Sequence, residues 1–161
     1  MTNPVVIDAV PGTSYADITR EFEAPVEAVF RAHADPEQYA QWIGPRGLDN
    51  AITQWDFRTG GGYAFEQKDA DGTVYAFRGV IHTVVENELI IQTFEYLGAP
   101  NEVSLDVLRF ESLPGGRSRL AGHSVFPSKE ALEAMVASGM EYGMREGYEK
   151  LDELLERGLD S

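Results

Sequence analysis

Apolar and small residues recur at Leu132, Met135, Val136, Gly139, Met140, Gly143, Met144, Gly147, Tyr148, Leu151, Leu154 and Leu155 in steps of three and four. That period lays them along one stripe of a helix and predicts a single long helix over residues 128–157. Glu133, Glu141, Arg145, Glu149, Lys150 and Glu153 fall on the opposite, water-facing side. Ser128, just after Phe126-Pro127, is a natural N-cap, because its hydroxyl accepts a bond from an unpaired backbone N–H. Gly158 suits the left-handed position past the last turn. Roughly 30 residues at ~1.5 Å each make about 45 Å of helix.

Upstream the period changes to two. Residues 14–22, SYADITREF, alternate as a first strand. Pro25 then opens a helix with Val26, Val29, Phe30 and His33 on one face. Asp35-Pro36 stops it, and Asp35 caps a second short helix, PEQYAQWI. After a Gly44-Pro45-Arg46-Gly47 loop, residues 48–126 read as six strands separated by short turns. Arg58-Thr59-Gly60-Gly61-Gly62 and Asp69-Ala70-Asp71-Gly72 are turn chemistry, and Gly79 inside a long strand predicts a bulge or bend. Residues 1–12, with Val5-Val6-Ile7 between two prolines, form an arm or a short edge strand. Short turns make consecutive strands antiparallel. The predicted fold is therefore α+β, in the helix-grip arrangement. A curved antiparallel sheet of about seven strands wraps the C-terminal helix, in one domain over residues 13–158.

Net charge narrows the partners. At −14 formal charge, the chain repels phosphate backbones, which argues against nucleic acid and anionic membranes. A membrane-helix reading of the glycine repeat fails, since Glu141, Arg145, Glu146 and Glu149 interrupt the run. There is no cysteine, so disulfides and thiolate chemistry are excluded. The start, MTNPVVIDAVPG, has no basic segment followed by a long apolar run, and a cytoplasmic location is the expectation.

Candidate chemistry is sparse. His33, His82 and His123 show no mutual ligand spacing, and neither a metal nor another cofactor is expected. Arg58 to Gly62 lacks the helix and the Lys-Ser/Thr of a phosphate loop. His123, on the last strand, is a candidate acid–base group, or else an ordinary sheet histidine. Glu95 lies inside the apolar-rich strand Ile91 to Tyr96. Facing inward it is a buried acid with a raised pKa; facing outward it is ordinary, and strand parity leaves both readings open. Gly139, Gly143 and Gly147 each cost up to about 1 kcal/mol of helix propensity, which close approach of a sheet or room for a ligand would offset. Trp42, Trp55, Tyr63, Phe65, Tyr75, Phe77, Phe94, Tyr96 and Tyr148 are many aromatics for one core, and Met135, Met140 and Met144 add an adaptable wall.

These residues also carry a resemblance. The runs Ala24 to Phe30, Asp35-Pro36, Trp42 to Gly47, Asp56 to Gly61, Phe77 to Val80, Phe126 to Ser128, Gly139 to Gly143 and Leu151 to Leu155 occur in one family's order. The chain resembles the SRPBCC superfamily (START and Bet v 1-like proteins), in the branch named for the activator of the heat-shock-protein-90 ATPase. Many relatives have two tryptophans where this chain has Trp42-Ile43. The resemblance implies an apolar cavity between sheet and helix, since relatives bind lipids and polyketides and some cyclise or hydrolyse them. On this basis Trp42, Tyr63, Phe65, Tyr75 and Phe77 are expected as cavity walls. Met140, Met144 and Tyr148 would form the floor, with Glu95 or His123 as polar group or general base. The expected partner is a hydrophobic small molecule, and a homodimer stays open. Turnover by a cyclase- or hydrolase-like enzyme and a co-chaperone-like protein contact are the alternatives. The eukaryotic co-chaperones carry a further domain that this length does not accommodate.

Overall fold

Alternation builds the sheet. The computed structural model describes residues 3–159. Strand β1 (Val5–Ala9) pairs antiparallel with β2 (Tyr15–Phe22), where Ala16, Ile18, Arg20 and Phe22 are buried on one face and Tyr15 and Asp17 are exposed on the other. Helices α1 (Val26–Ala34) and α2 (Pro36–Trp42) follow. Six strands come next: β3 (Asp49–Asp56), β4 (Gly62–Lys68), β5 (Val74–Val85), β6 (Leu89–Tyr96), β7 (Ser104–Leu113) and β8 (Arg117–Val125). Helices α3 (Lys129–Ala137) and α4 (Met140–Leu159) end the chain. The eight strands form one antiparallel sheet in the order β1-β2-β8-β7-β6-β5-β4-β3, so β2 joins the last strand rather than the next one. The helix-grip prediction holds, with residues 5–9 adding an eighth strand at the edge. Residues 1 and 2 of the expected arm lie outside the described residues.

The core lies between this sheet and the helices. Phe22, Val29, Phe30, Tyr39, Trp42, Phe65, Leu120, Tyr148 and Leu151 are all buried in it. Each large apolar side chain removed from water contributes about 1.5–3 kcal/mol. Helix α4 rests on α2, β1 and α1, and one buried ion pair ties it to the sheet. Arg20, 1% exposed, donates from Nη1 to Asp152 Oδ1 at 2.9 Å and from Nη2 to Oδ2 at 2.6 Å. Its guanidinium also sits 4.8 Å from the centre of the Phe22 ring and 5.9 Å from that of Tyr148. The predicted caps are present: Asp35 Oδ1 accepts from Glu37 N at 2.9 Å, and Ser128 Oγ accepts from Ala131 N at 3.1 Å.

Three local expectations are corrected. The C-terminal helix is broken in two, because Ser138 closes α3 and Gly139 takes φ +97°, which a helix cannot continue through. Gly158 does not end α4, which runs on to Leu159. Gly79 makes no bulge; the register shift in β5 falls between Ile81 and Thr83. Gly79 instead lets the Tyr63 ring lie across β5, where the Tyr63 hydroxyl donates to the Thr93 carbonyl at 2.6 Å. A Cβ at Gly79 would overlap that same carbonyl oxygen.

Candidate functional site

The strand registers align one row of side chains across the helix-facing side of the sheet: Ala16, Ser124, Asp106, Gln92 and Ile81. At ~4.8 Å between strands, the row spans about 19 Å. Its ends are sealed: Ala16 packs with Phe126 and Leu132 of the α3 region, and Ile81 belongs to the main core. Its middle is less tightly closed, with Ser124, Asp106 and Gln92 each only partly buried. Phe94 and Phe77, also half-exposed, continue the same face beyond Gln92, with ring centres 5.4 Å apart. Met140 and Met144, half-exposed on the first turns of α4, border the α3 cluster and the main core. The result is a partly exposed strip on the helix-facing side of the sheet, with a polar centre and an aromatic end.

Asp106 is the one carboxylate in this row. The Ser104 hydroxyl donates to its Oδ1 at 3.2 Å, and the Ser124 hydroxyl, opposite it on β8, also favours the charged form. Desolvation raises its pKa above the ordinary aspartate value, and the two hydroxyls oppose that shift only in part. Three buried phenols surround it at longer range. Tyr148 is pushed up to about 12, mainly by burial and in smaller part by the Asp106 charge. Tyr39 and Tyr63 are raised for the same two reasons, with each also feeling another tyrosine.

The remaining predicted site residues scatter. Trp42, Tyr63, Phe65 and Tyr148 are packed core: Trp42 Nε1 donates to Ala32 O at 2.9 Å and its ring stacks on Tyr148 at 5.9 Å. Phe77 stacks on Phe65 at 5.0 Å and meets Tyr96 at 5.2 Å, while Tyr75 donates its hydroxyl to Asp69 Oδ2 at 3.1 Å. Phe77 thus joins the aromatic end of the strip, while the two methionines pack on the clusters that flank it. Glu95 and His123 are not on this strip, because both occupy the opposite strand parity, on the face turned away from the helices. Glu95 is 6% exposed because the turn after β6 folds over it. Asn101 N–H donates to its carboxyl at 2.8 Å and Arg78 Nε at 2.9 Å. These two bonds, the backbone one first, lower its pKa, the reverse of the raised value expected for an inward acid. His123 Nδ1 lies 2.6 Å from Asp17 Oδ1 on the outer face, beside the Tyr15 ring.

The glycines of α4 also read differently. Gly139 is exposed, and Gly143 meets only Pro45 Cδ, at 3.7 Å from where a Cβ would be. Gly147 is the tight one: a Cβ there would lie 3.1 Å from the Trp42 carbonyl and 3.4 Å from Gly44. The loop that follows α2, not a strand and not a ligand, uses the bare helix surface. Arg46 of that loop is paired with Glu153, and its N–H donates to Glu146 at 2.9 Å. A surface cleft between this loop, Asn50 and Lys150 contains none of the predicted ligand residues. Among the described residues, no group of three or more histidines or carboxylates has a metal-holding arrangement. Among the described residues, no helix is long and apolar enough to cross a membrane.

The family model described as activator of Hsp90 ATPase homolog 1-like protein matches residues 23–156. No curated protein matches the chain. Among solved structures, a protein from Arthrobacter aurescens is 28% identical with a TM-score of 0.86, covering 94% of this chain and 91% of its own. Protein Ms6760 from Mycobacterium smegmatis is 28% identical with a TM-score of 0.84, over 94% of this chain and 97% of that one. Protein CV1439 from Chromobacterium violaceum is 26% identical with a TM-score of 0.78, over 89% and 97%.

Proposed function

This chain belongs to the activator of Hsp90 ATPase homolog 1-like family, and from that membership we propose that it binds an apolar small molecule in the cleft between the sheet and α4. The fold of this superfamily commonly binds hydrophobic ligands. One observation supports the reading most: on the helix-facing side of the sheet, the polar residues Gln92, Asp106 and Ser124 lie side by side and only partly buried, next to the partly buried rings of Phe94 and Phe77. Aromatic side chains left wet at a concave face gain about 25 cal/mol for each Å² that a ligand covers. The flexible thioethers of Met140 and Met144 suit a ligand whose outline the site does not match closely.

The test is fluorescence titration with the neutral probe N-phenyl-1-naphthylamine, repeated on Ser124→Phe. Ser124 sits at the middle of the cleft, so a phenyl ring there fills it. Saturable binding by the wild type and its loss in a folded Ser124→Phe are the expected results. Binding unaltered by the substitution, or none in the wild type, refutes the reading.

A further inference from the structure

The first strand turn of β7 is built inside out. Leu105 points away from the helices and is 44% exposed, while Asp106 points toward them. Reversing the two would bury the leucine and hydrate the acid, so the order present costs stability on both counts. Nothing in the protein neutralises Asp106: among the described residues no lysine, arginine or histidine forms an ion pair with it. Arg20, an inward-facing cation of β2, is committed to Asp152. A carboxylate has about four acceptor positions, and the Ser104 hydroxyl fills one. Asp106 and its strand neighbour Gln92 are both only partly buried. The groups facing Asp106 from the surrounding elements are neutral: Gln92 from β6, Ser124 from β8, Tyr63 from β4, Tyr39 from α2 and Tyr148 from α4.

Resting on the small-molecule reading, we infer that the cleft sorts ligands by their polar end. It takes apolar molecules that finish in a hydrogen-bond donor, an amine or a hydroxyl, docked on Asp106, and it rejects fatty carboxylates. An amine supplies the missing cation and fills the unused acceptor positions with charge-assisted bonds. A hydroxyl fills one of them. A second carboxylate brought to the same desolvated place adds like-charge repulsion and no donor. The aromatic end at Phe94 and Phe77 takes the apolar tail, since it adjoins Gln92 on the same face.

Three probes of equal tail length separate the cases: decylamine, decanol and decanoate, each below its micelle concentration, competing with N-phenyl-1-naphthylamine. Salt of about 0.5 M suppresses the general pull of an acidic protein on cations. The expected order is decylamine, decanol, decanoate, with at least about a tenfold gap between amine and carboxylate. In Asp106→Asn that ratio falls to near one, and in Asp106→Glu, which keeps the charge, the amine preference returns. Circular dichroism confirms that each variant is folded. Equal displacement by amine and carboxylate in the wild type overturns the inference while leaving the cleft occupied. So does a preference that survives in Asp106→Asn. Failure of the dye and all three probes to bind defeats the underlying small-molecule reading, and this inference with it.

Discussion

Removing the Asp152 carboxylate strands a cation. In Asp152→Ala, Arg20 loses two charge-assisted bonds, at 2.9 and 2.6 Å, and keeps only the Glu21 carbonyl, at 2.8 Å from Nη1. Its Nε already has no partner. The guanidinium cannot shed its proton, so it stays charged in a place where it is 1% exposed. Each lost bond is worth about 1.5–3 kcal/mol, which sums to about 3–6 kcal/mol. Asp152 is 21% exposed, so water enters the vacated space and the lower end applies, about 3–4 kcal/mol. That is a large part of the ~5–15 kcal/mol that holds a domain of this size. Urea unfolding followed by circular dichroism reads it as a lower midpoint at unchanged slope. The double variant Arg20→Met/Asp152→Leu, which removes both charges and keeps the volume, recovers most of the loss. A loss under about 1 kcal/mol in the single variant would show that the pair behaves like an exposed one and that α4 is not anchored there.

Other outcomes follow from single sites. Burial lowers the His33 pKa from 6.5 to about 4, so below pH 6.5 the unfolded chain takes up a proton that the folded one refuses. Stability then falls by about 3 kcal/mol between pH 6.5 and 4, at about 1.4 kcal/mol per unit. The wild-type profile minus that of His33→Gln isolates this slope, and a flat difference contradicts it. Gly143→Ala, with only an ordinary contact at 3.7 Å, should gain up to about 1 kcal/mol of helix propensity. Gly147→Ala, 3.1 Å from a carbonyl, should lose stability instead, and thermal melts that rank the two the other way sink this account of the helix surface. Asp106, whose folded pKa is raised, costs stability in full above that pKa; the cost shrinks as pH falls through the folded value and is gone below the unfolded one. Asp106→Asn is therefore more stable than wild type at pH 7 and not at pH 3, as urea midpoints at both values will show.

The fold was legible because its signals are local. The period of α4, the Ser128 and Asp35 caps and the short turns each act within a few residues. The break at Gly139 was obscured because the apolar spacing runs through it unchanged, although a Ser-Gly pair is good stop chemistry. The site was less legible, for a different reason. Glu95 attracted notice as an acid among apolar residues, but parity alone leaves its face undecided. Its burial comes from Asn101, on a turn whose path no periodicity describes. Asp106 escaped notice because Leu105 and Val107 flank it and make it the natural outward residue of an ordinary amphipathic strand. The usable signal was the opposite alternation further along, where Leu108 and Phe110 share its parity and face the core. Aromatic content did not separate wall from core: Trp42, Phe65 and Tyr148 are fully buried, while Phe77 and Phe94, packed on the same core, are only partly buried.

The strand order has a consequence for synthesis. Tyr15 to Phe22 find their permanent neighbours only at Ser118 to Val125, and Arg20 meets Asp152 later still. A nascent chain can zip β3 through β7 as successive hairpins while its amino-terminal ribbon waits with one edge bare. Until the ribosome has released β8, that waiting edge and the far edge of β7 both lie open to strand pairing with other chains. Chains stalled or cut before residue 117 are the ones a cell would have to shield from one another.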